Sequence, residues 1–99
     1  MGAPLSNATA QRIARMFSSH DCELVSALVT ELGDDGATES AGTQRIRFAV
    51  LKVSGGDLNA LQRAIDLAKA DWRDVLAAAG FGSDVTAHRW WWPADTPKI

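Results

Sequence analysis

A chain with one cysteine cannot close an internal disulfide, and Cys22 is the only one present. Its stability must come from packing, and a lone thiol fits a reducing compartment. No apolar run approaches the roughly 20 residues that span a bilayer, and no charged, apolar and small-residue signal segment opens the chain. Neither sign of charge dominates: a net charge of -2 supplies no basic field for nucleic acid and no acidic tail for a basic partner. Internal repeats and low-complexity tracts are missing. These absences predict a cytoplasmic protein. One targeting outline does occur, because Met1-Gly2 followed by Ser6 fits N-myristoylation. Pro4 makes it an awkward match, and residues 1–7 are read as a flexible start.

What is present is a globular composition, 46% hydrophobic and 22% charged. At this length one domain, residues 8–92, buries only about 60 to 65% of the surface its unfolded chain exposes, so the core must be tight. The clearest pattern is DLNALQRAIDLAKADWRDVLAAAGF, from Asp57 to Phe81. Leu58, Leu61, Ile65, Ala68, Trp72, Val75, Leu76 and Ala79 recur at helical spacing and form one apolar stripe. Asp57 is an N-cap, Gly80 closes the last turn, and Phe81 is placed to fold back as in a Schellman ending. One helix of this span would be on the order of 33 Å long and would serve as the spine. Asp71, with Asp74 three residues on, resembles a second N-cap, so a break or kink is expected near Ala70.

Before the spine, Ser6 or Asn7 can cap a helix over Ala8 to Ser18, with Ile13, Met16 and Phe17 on one face and Gln11, Arg12 and Arg15 outward. A second helix is expected behind Asp21, over Cys22 to Leu32, ending at Gly33, with Cys22, Val25, Val29 and Leu32 as its seam. Residues 33–42, GDDGATESAG, read as a mobile surface loop. The stretch QRIRFAVLKV, residues 44–53, is ambiguous: its β-branched content favours a strand. Thr43 is a good N-cap, however, and no other segment offers a partner strand, so helix is assigned. After Phe81, Asp84 can cap a brief helix from Val85 to about Trp91; Pro93 stops it, and residues 93–99 read as a disordered tail.

The residues RIRFAVLKVSGGDL, then LAKADWRDVLAAAGF, then AHRWWWP, resemble a group of short uncharacterised bacterial proteins in which these features recur in this order. The likeness covers most of the chain after the loop and is weaker before it. It implies a bacterial cytosolic helical protein and transfers no catalytic residue. The triple tryptophan departs from the single one expected there and leaves the extra rings to be explained.

Trp90, Trp91 and Trp92 cannot all face one core, because consecutive helical residues point about 100° apart. One reading has Trp90 or Trp91 plugging the core while its neighbours lie on the surface. The other treats exposed rings beside Arg89 as a contact surface for a partner or a second copy. His20, Cys22 and His88 raise a thiol nucleophile or a metal site, but no Cys or His pair has ligand spacing, and a lone cysteine on an apolar seam is usually inert. Gly80-Phe81-Gly82 follows a helix and not a strand, so it is no phosphate loop. Arg45, Arg47 and Lys52, with Arg12 and Arg15, invite a nucleic-acid reading; against it stand Asp57, Asp66, Asp71 and Asp74 on the helix that would read the groove. The basic residues are expected to pair instead with acids of the spine, and Asp71-Trp72-Arg73-Asp74 to lock a helix start around a buried ring.

The sequence therefore predicts an all-α bundle of four to five helices with one long or kinked central helix, without cofactor, metal or small-molecule substrate. Its expected role is a non-enzymatic protein-interaction or self-association module that binds a protein partner or homodimerises through Arg89, Trp90, Trp91 and Trp92. The alternative is a nucleic-acid-binding regulator using the face of Arg45, Arg47 and Lys52.

Overall fold

The computed structural model describes residues 3–33, 36–82 and 86–93. Their regular elements are all helical, with no strand among the described residues: α1 Asn7–Met16, α2 Ser19–Thr30, α3 Ala41–Ser54, α4 Leu58–Ala70, α5 Trp72–Ala79 and a 3₁₀ turn at Ala87–Trp90. No helix among the described residues is long and apolar enough to cross a membrane.

The segment of ambiguous pattern, 44–53, lies inside α3, and α3 is the centre of the bundle. It packs against α1, α4, α5 and the 3₁₀ turn, while α2 rests on α1 and α4. Four consecutive residues, Phe48, Ala49, Val50 and Leu51, are fully buried. This is the mark of a helix enclosed on all sides, and it explains why the stretch carries no amphipathic period. Its cap is Ser40, whose Oγ accepts the Thr43 N–H at 3.1 Å. The helix therefore starts before Thr43, the cap expected from the sequence, and takes up the last residues of the expected loop.

The Asp57–Ala79 stretch breaks where its second cap stands. Asp71 ends α4, and its Oδ1 accepts the Arg73 N–H at 3.1 Å to start α5. The break resets the phase of the stripe. Leu61, Ala64, Ile65 and Ala68 of α4 and Val75, Leu76 and Ala79 of α5 are buried, but Trp72, expected in the core, is 48% exposed. The expected network around a buried ring is thus a cap beside a surface one. Gly80, at φ 81°, closes α5: the Phe81 N–H donates to the Leu76 carbonyl at 2.9 Å and the Gly80 N–H to that of Ala77 at 3.1 Å, the Schellman pattern. Phe81 is thereby turned into the core.

Among the described residues, the basic residues of α3 do not pair with acids of the α4–α5 stretch as expected. Arg47 is completely buried. Its guanidinium donates to the carbonyls of Leu32, Pro4, Ala3 and Thr30 and to Glu39 Oε2 at 2.8 Å. Glu39, from the stretch expected to be a mobile loop, has a buried side chain that also accepts from Ser6 Oγ at 2.6 Å, Thr9 Oγ1 at 2.8 Å and Gln44 Nε2 at 3.2 Å. Burial by itself pushes the Glu39 carboxyl up, but the hydrogen bonds from Ser6, Arg47, Thr9 and Gln44 outweigh it and hold it below its ordinary value. This lock joins the ends of α1 and α2 to α3. It also ties down the chain start read as flexible, since Ala3 is buried and offers its carbonyl; Met1 and Gly2, which carry the acylation outline, lie outside the described residues.

Candidate interaction surface

A neighbouring set of α3 side chains builds the tryptophan end, with Gln44 reaching both Glu39 and His88. Phe48, one residue on from Arg47, points into a cluster of rings: His88 lies 5.4 Å from it, edge-on at 72°, and Trp91 at 6.1 Å. Phe81 closes the cluster at 6.3 Å from His88 and 6.4 Å from Trp91. His88 is fully buried, with Nε2 3.2 Å from Gln44 Oε1.

The three tryptophans separate because the local backbone is not an α-helix. The 3₁₀ turn ends at Trp90, and Trp91 is extended at φ -82° and ψ 132°. Extended backbone sends alternate side chains to opposite sides. Trp91 turns in against Phe48 and Phe81, whereas Trp90 is 81% and Trp92 42% exposed. Pro93, read as the start of the tail, is buried; residues 94–99, and Asp84 with Val85 of the expected last helix, lie outside the described residues.

Arg12 holds this arrangement in place. The amphipathic pattern of α1 sets it outward; in the structure it is buried, its guanidinium carbon 4.2 Å from the Phe48 ring centre and 3.6 Å from that of Trp92. Its Nε donates to the Trp91 carbonyl at 3.0 Å and Nη1 to that of Ala8 at 2.9 Å. Ring faces and carbonyls here do what a carboxylate does for Arg47. Burial, and then repulsion from Arg15, lower the pKa of Arg12. Arg15 lies over Trp92 as well, at 4.8 Å. Beside it opens a cavity of about 420 Å³ lined by Arg15, Met16, Lys52, Gly55, Gly56, Trp91 and Pro93.

Arg45, Arg47 and Lys52 do not share an exposed face. Arg47 is interior, Arg45 is half-buried and donates to the Phe81 carbonyl, and only Lys52 is exposed, its Nζ 5.0 Å from the Phe81 ring. None of the three pairs with an acid of α4 or α5 among the described residues. Cys22 is half-buried with Sγ 3.7 Å from the Phe17 carbonyl, and His20 is exposed on α2, while His88 is held in the ring cluster. No group of three or more His, Cys, Asp and Glu residues that could hold a metal occurs among the described residues.

A roomier groove, about 520 Å³, lies between the end of α2, the start of α3 and the α4–α5 break. Ile46, Ala68, Trp72 and Leu76 form its apolar wall, and Lys69 bridges Glu31 at 2.8 Å on its rim. Sequence reasoning missed it, since it placed Trp72 in the core; the cap at Asp71 was the available signal. Comparison with protein-family models, curated proteins and solved structures finds no match for this chain.

Proposed function

We propose that this protein is a cytoplasmic, non-enzymatic protein-interaction or self-association module whose contact surface is the tryptophan end: Arg89, Trp90, Trp92 and the exposed edge of Trp91. The observation that carries the reading is Trp90, 81% exposed, two residues before a second exposed ring clamped by two guanidinium groups. Large rigid aromatics and arginines dominate binding energy at protein contacts, and a ring already immobilised loses little side-chain entropy on binding. The nucleic-acid reading through Arg45, Arg47 and Lys52 has no such support, because Arg47 spends all its donors in the interior.

The test has two parts. Light scattering across a concentration series compares the natural chain with Trp90→Ala and Trp92→Ala together; a dimer that the substitutions dissolve, with helicity retained, establishes self-association. If the chain is monomeric throughout, a photo-crosslinking residue at position 90 must join one reproducible protein partner in cells, and lose it when Trp92 is replaced by Ala. A monomer with no such adduct overturns the reading.

A further inference from the structure

We infer that the partner of the tryptophan end is an acidic polypeptide segment, with a carboxylate side chain seated between Arg15 and Lys52 and a neighbouring apolar side chain against Trp90 and Trp92. This rests on the interaction reading above and names its partner class. The cavity of about 420 Å³ has an apolar floor, Met16, Trp91 and Pro93, and its charged lining residues are Arg15 and Lys52 alone. Both are exposed, and neither has a carboxylate partner among the described residues. Elsewhere Arg47, Lys69 and Arg73 each have one, at 2.8, 2.8 and 3.6 Å.

The cause lies in the sequence. α1 and α3, which carry Arg15 and Lys52, contain no acidic residue, and neither does the 3₁₀ turn with Arg89. The nearest acid in sequence, Asp57, spends Oδ1 on capping α4, accepting the Asn59 N–H at 2.9 Å. One wall of the cavity is bare backbone drawn close to α1: a Cβ on Gly56, at φ 87°, would lie 3.0 Å from the Met16 carbonyl oxygen.

Charge decides between occupants. A second copy docked by two-fold symmetry through this same face would set the patch that carries Arg15 and Lys52 against the same patch, a like-charge contact that costs affinity. A nucleic acid would also meet cations and rings here. It is a polymer of phosphates, however, that draws on an extended basic stripe, whereas this chain carries a net charge of -2 and places Asp66, Asp71 and Asp74 on and beside α4 and α5. A short acidic segment needs only the local cations and the apolar floor.

The experiment uses the full chain and fluorescence anisotropy with three labelled probes: a peptide alternating glutamate with leucine, its glutamine counterpart, and oligothymidylate. The acidic peptide should bind, about tenfold or more tighter than the glutamine peptide, and weaken as salt rises. Arg15→Glu with Lys52→Glu should lower its affinity by a similar factor with an unchanged circular dichroism spectrum, since both side chains are exposed. No binding of the acidic peptide, equal binding of the glutamine peptide, indifference to the charge reversal, or tighter binding of oligothymidylate would each overturn the inference. A cross-linked partner at position 90 that survives the charge reversal would overturn it too, while leaving the interaction reading standing.

Discussion

Arg47 and Arg12 are both carried into the interior by helices, and their surroundings differ in kind. Arg47 meets a carboxylate and four backbone carbonyls, so its guanidinium is saturated and has no donor left to offer a ligand. Arg12 meets two rings and two carbonyls. A ring face attracts a cation without cancelling its charge, so the tryptophan end keeps a positive field. It also keeps two exposed rings, with the exposed Arg15 over Trp92 and the exposed Lys52 in the lining of the cavity that Trp91 shares. One buried arginine closes the fold; the other props a surface open. Burial of a charge does not tell its role, whereas the nature of its partners does.

Breaking the closed end should cost most. Arg47→Met leaves Glu39 buried without its counter-charge and should destabilise the fold by about 3 to 5 kcal/mol in urea denaturation. Adding Glu39→Gln to it should recover part of the loss, because the stranded charge is gone. The same carboxyl gives the closed end a pH signature. Its pKa is held below the ordinary value of 4.5, so the stabilisation is complete above the unfolded-state value and lost as pH falls through the folded-state one. A thermal melt series on the acid side should show a steeper decline for the natural chain than for Glu39→Gln.

At the open end, Arg12→Met should cost about 1 to 2 kcal/mol, the scale of a desolvated cation–π contact, and shift tryptophan fluorescence as Trp92 loses its clamp. Asp71→Ala, remote from both ends, removes the cap between α4 and α5 and should cost about 1 kcal/mol. Trp90→Ala should change stability by no more than about 0.5 kcal/mol, being largely exposed, yet abolish partner binding. A large stability loss there would make the ring structural and erase the contrast between the two ends.

Much of the fold is legible in the residues, and the reason is local. Asp57, Asp71 and Gly80 mark helix ends through bonds to their own neighbours, so the break near Ala70 and the Schellman ending can be read without a tertiary structure. Val25, Val29 and Leu32 lie buried along the seam that their spacing marks. The helix at 44–53 followed from an elimination, the lack of any partner strand; its apolar residues on two sides already set it between neighbours, while its place at the centre, in front of the Asp57–Ala79 stretch expected as the spine, follows only from the packing. Two errors share one cause. Arg12 read as outward, and Arg47 as a flank residue paired with acids of the spine, because charge is normally solvated; their burial depends on Trp91, Trp92, Glu39 and the carbonyls of Ala3, Pro4, Thr30 and Leu32, none of them in the arginine's own helix. At the candidate surface, that one ring of the trio must be exposed follows from geometry alone. Which one could not be known before the backbone there proved 3₁₀ and then extended.

The all-helical class, the caps at Asp57 and Asp71, the ending at Gly80, and the separation of charge that leaves α1, α3 and the 3₁₀ turn without an acid are written in the residues. Each of these is a property of neighbours along the chain. By contrast, α2 starts behind Ser18 and α3 behind Ser40, ahead of the caps expected at Asp21 and Thr43. The central place of α3, the turn of the Glu39 side chain from its loop onto Arg47, and the position of Arg12 between Phe48 and Trp92 exist only in the folded chain. A buried charge must be satisfied by whatever the fold brings to it, and those partners come from every part of the chain.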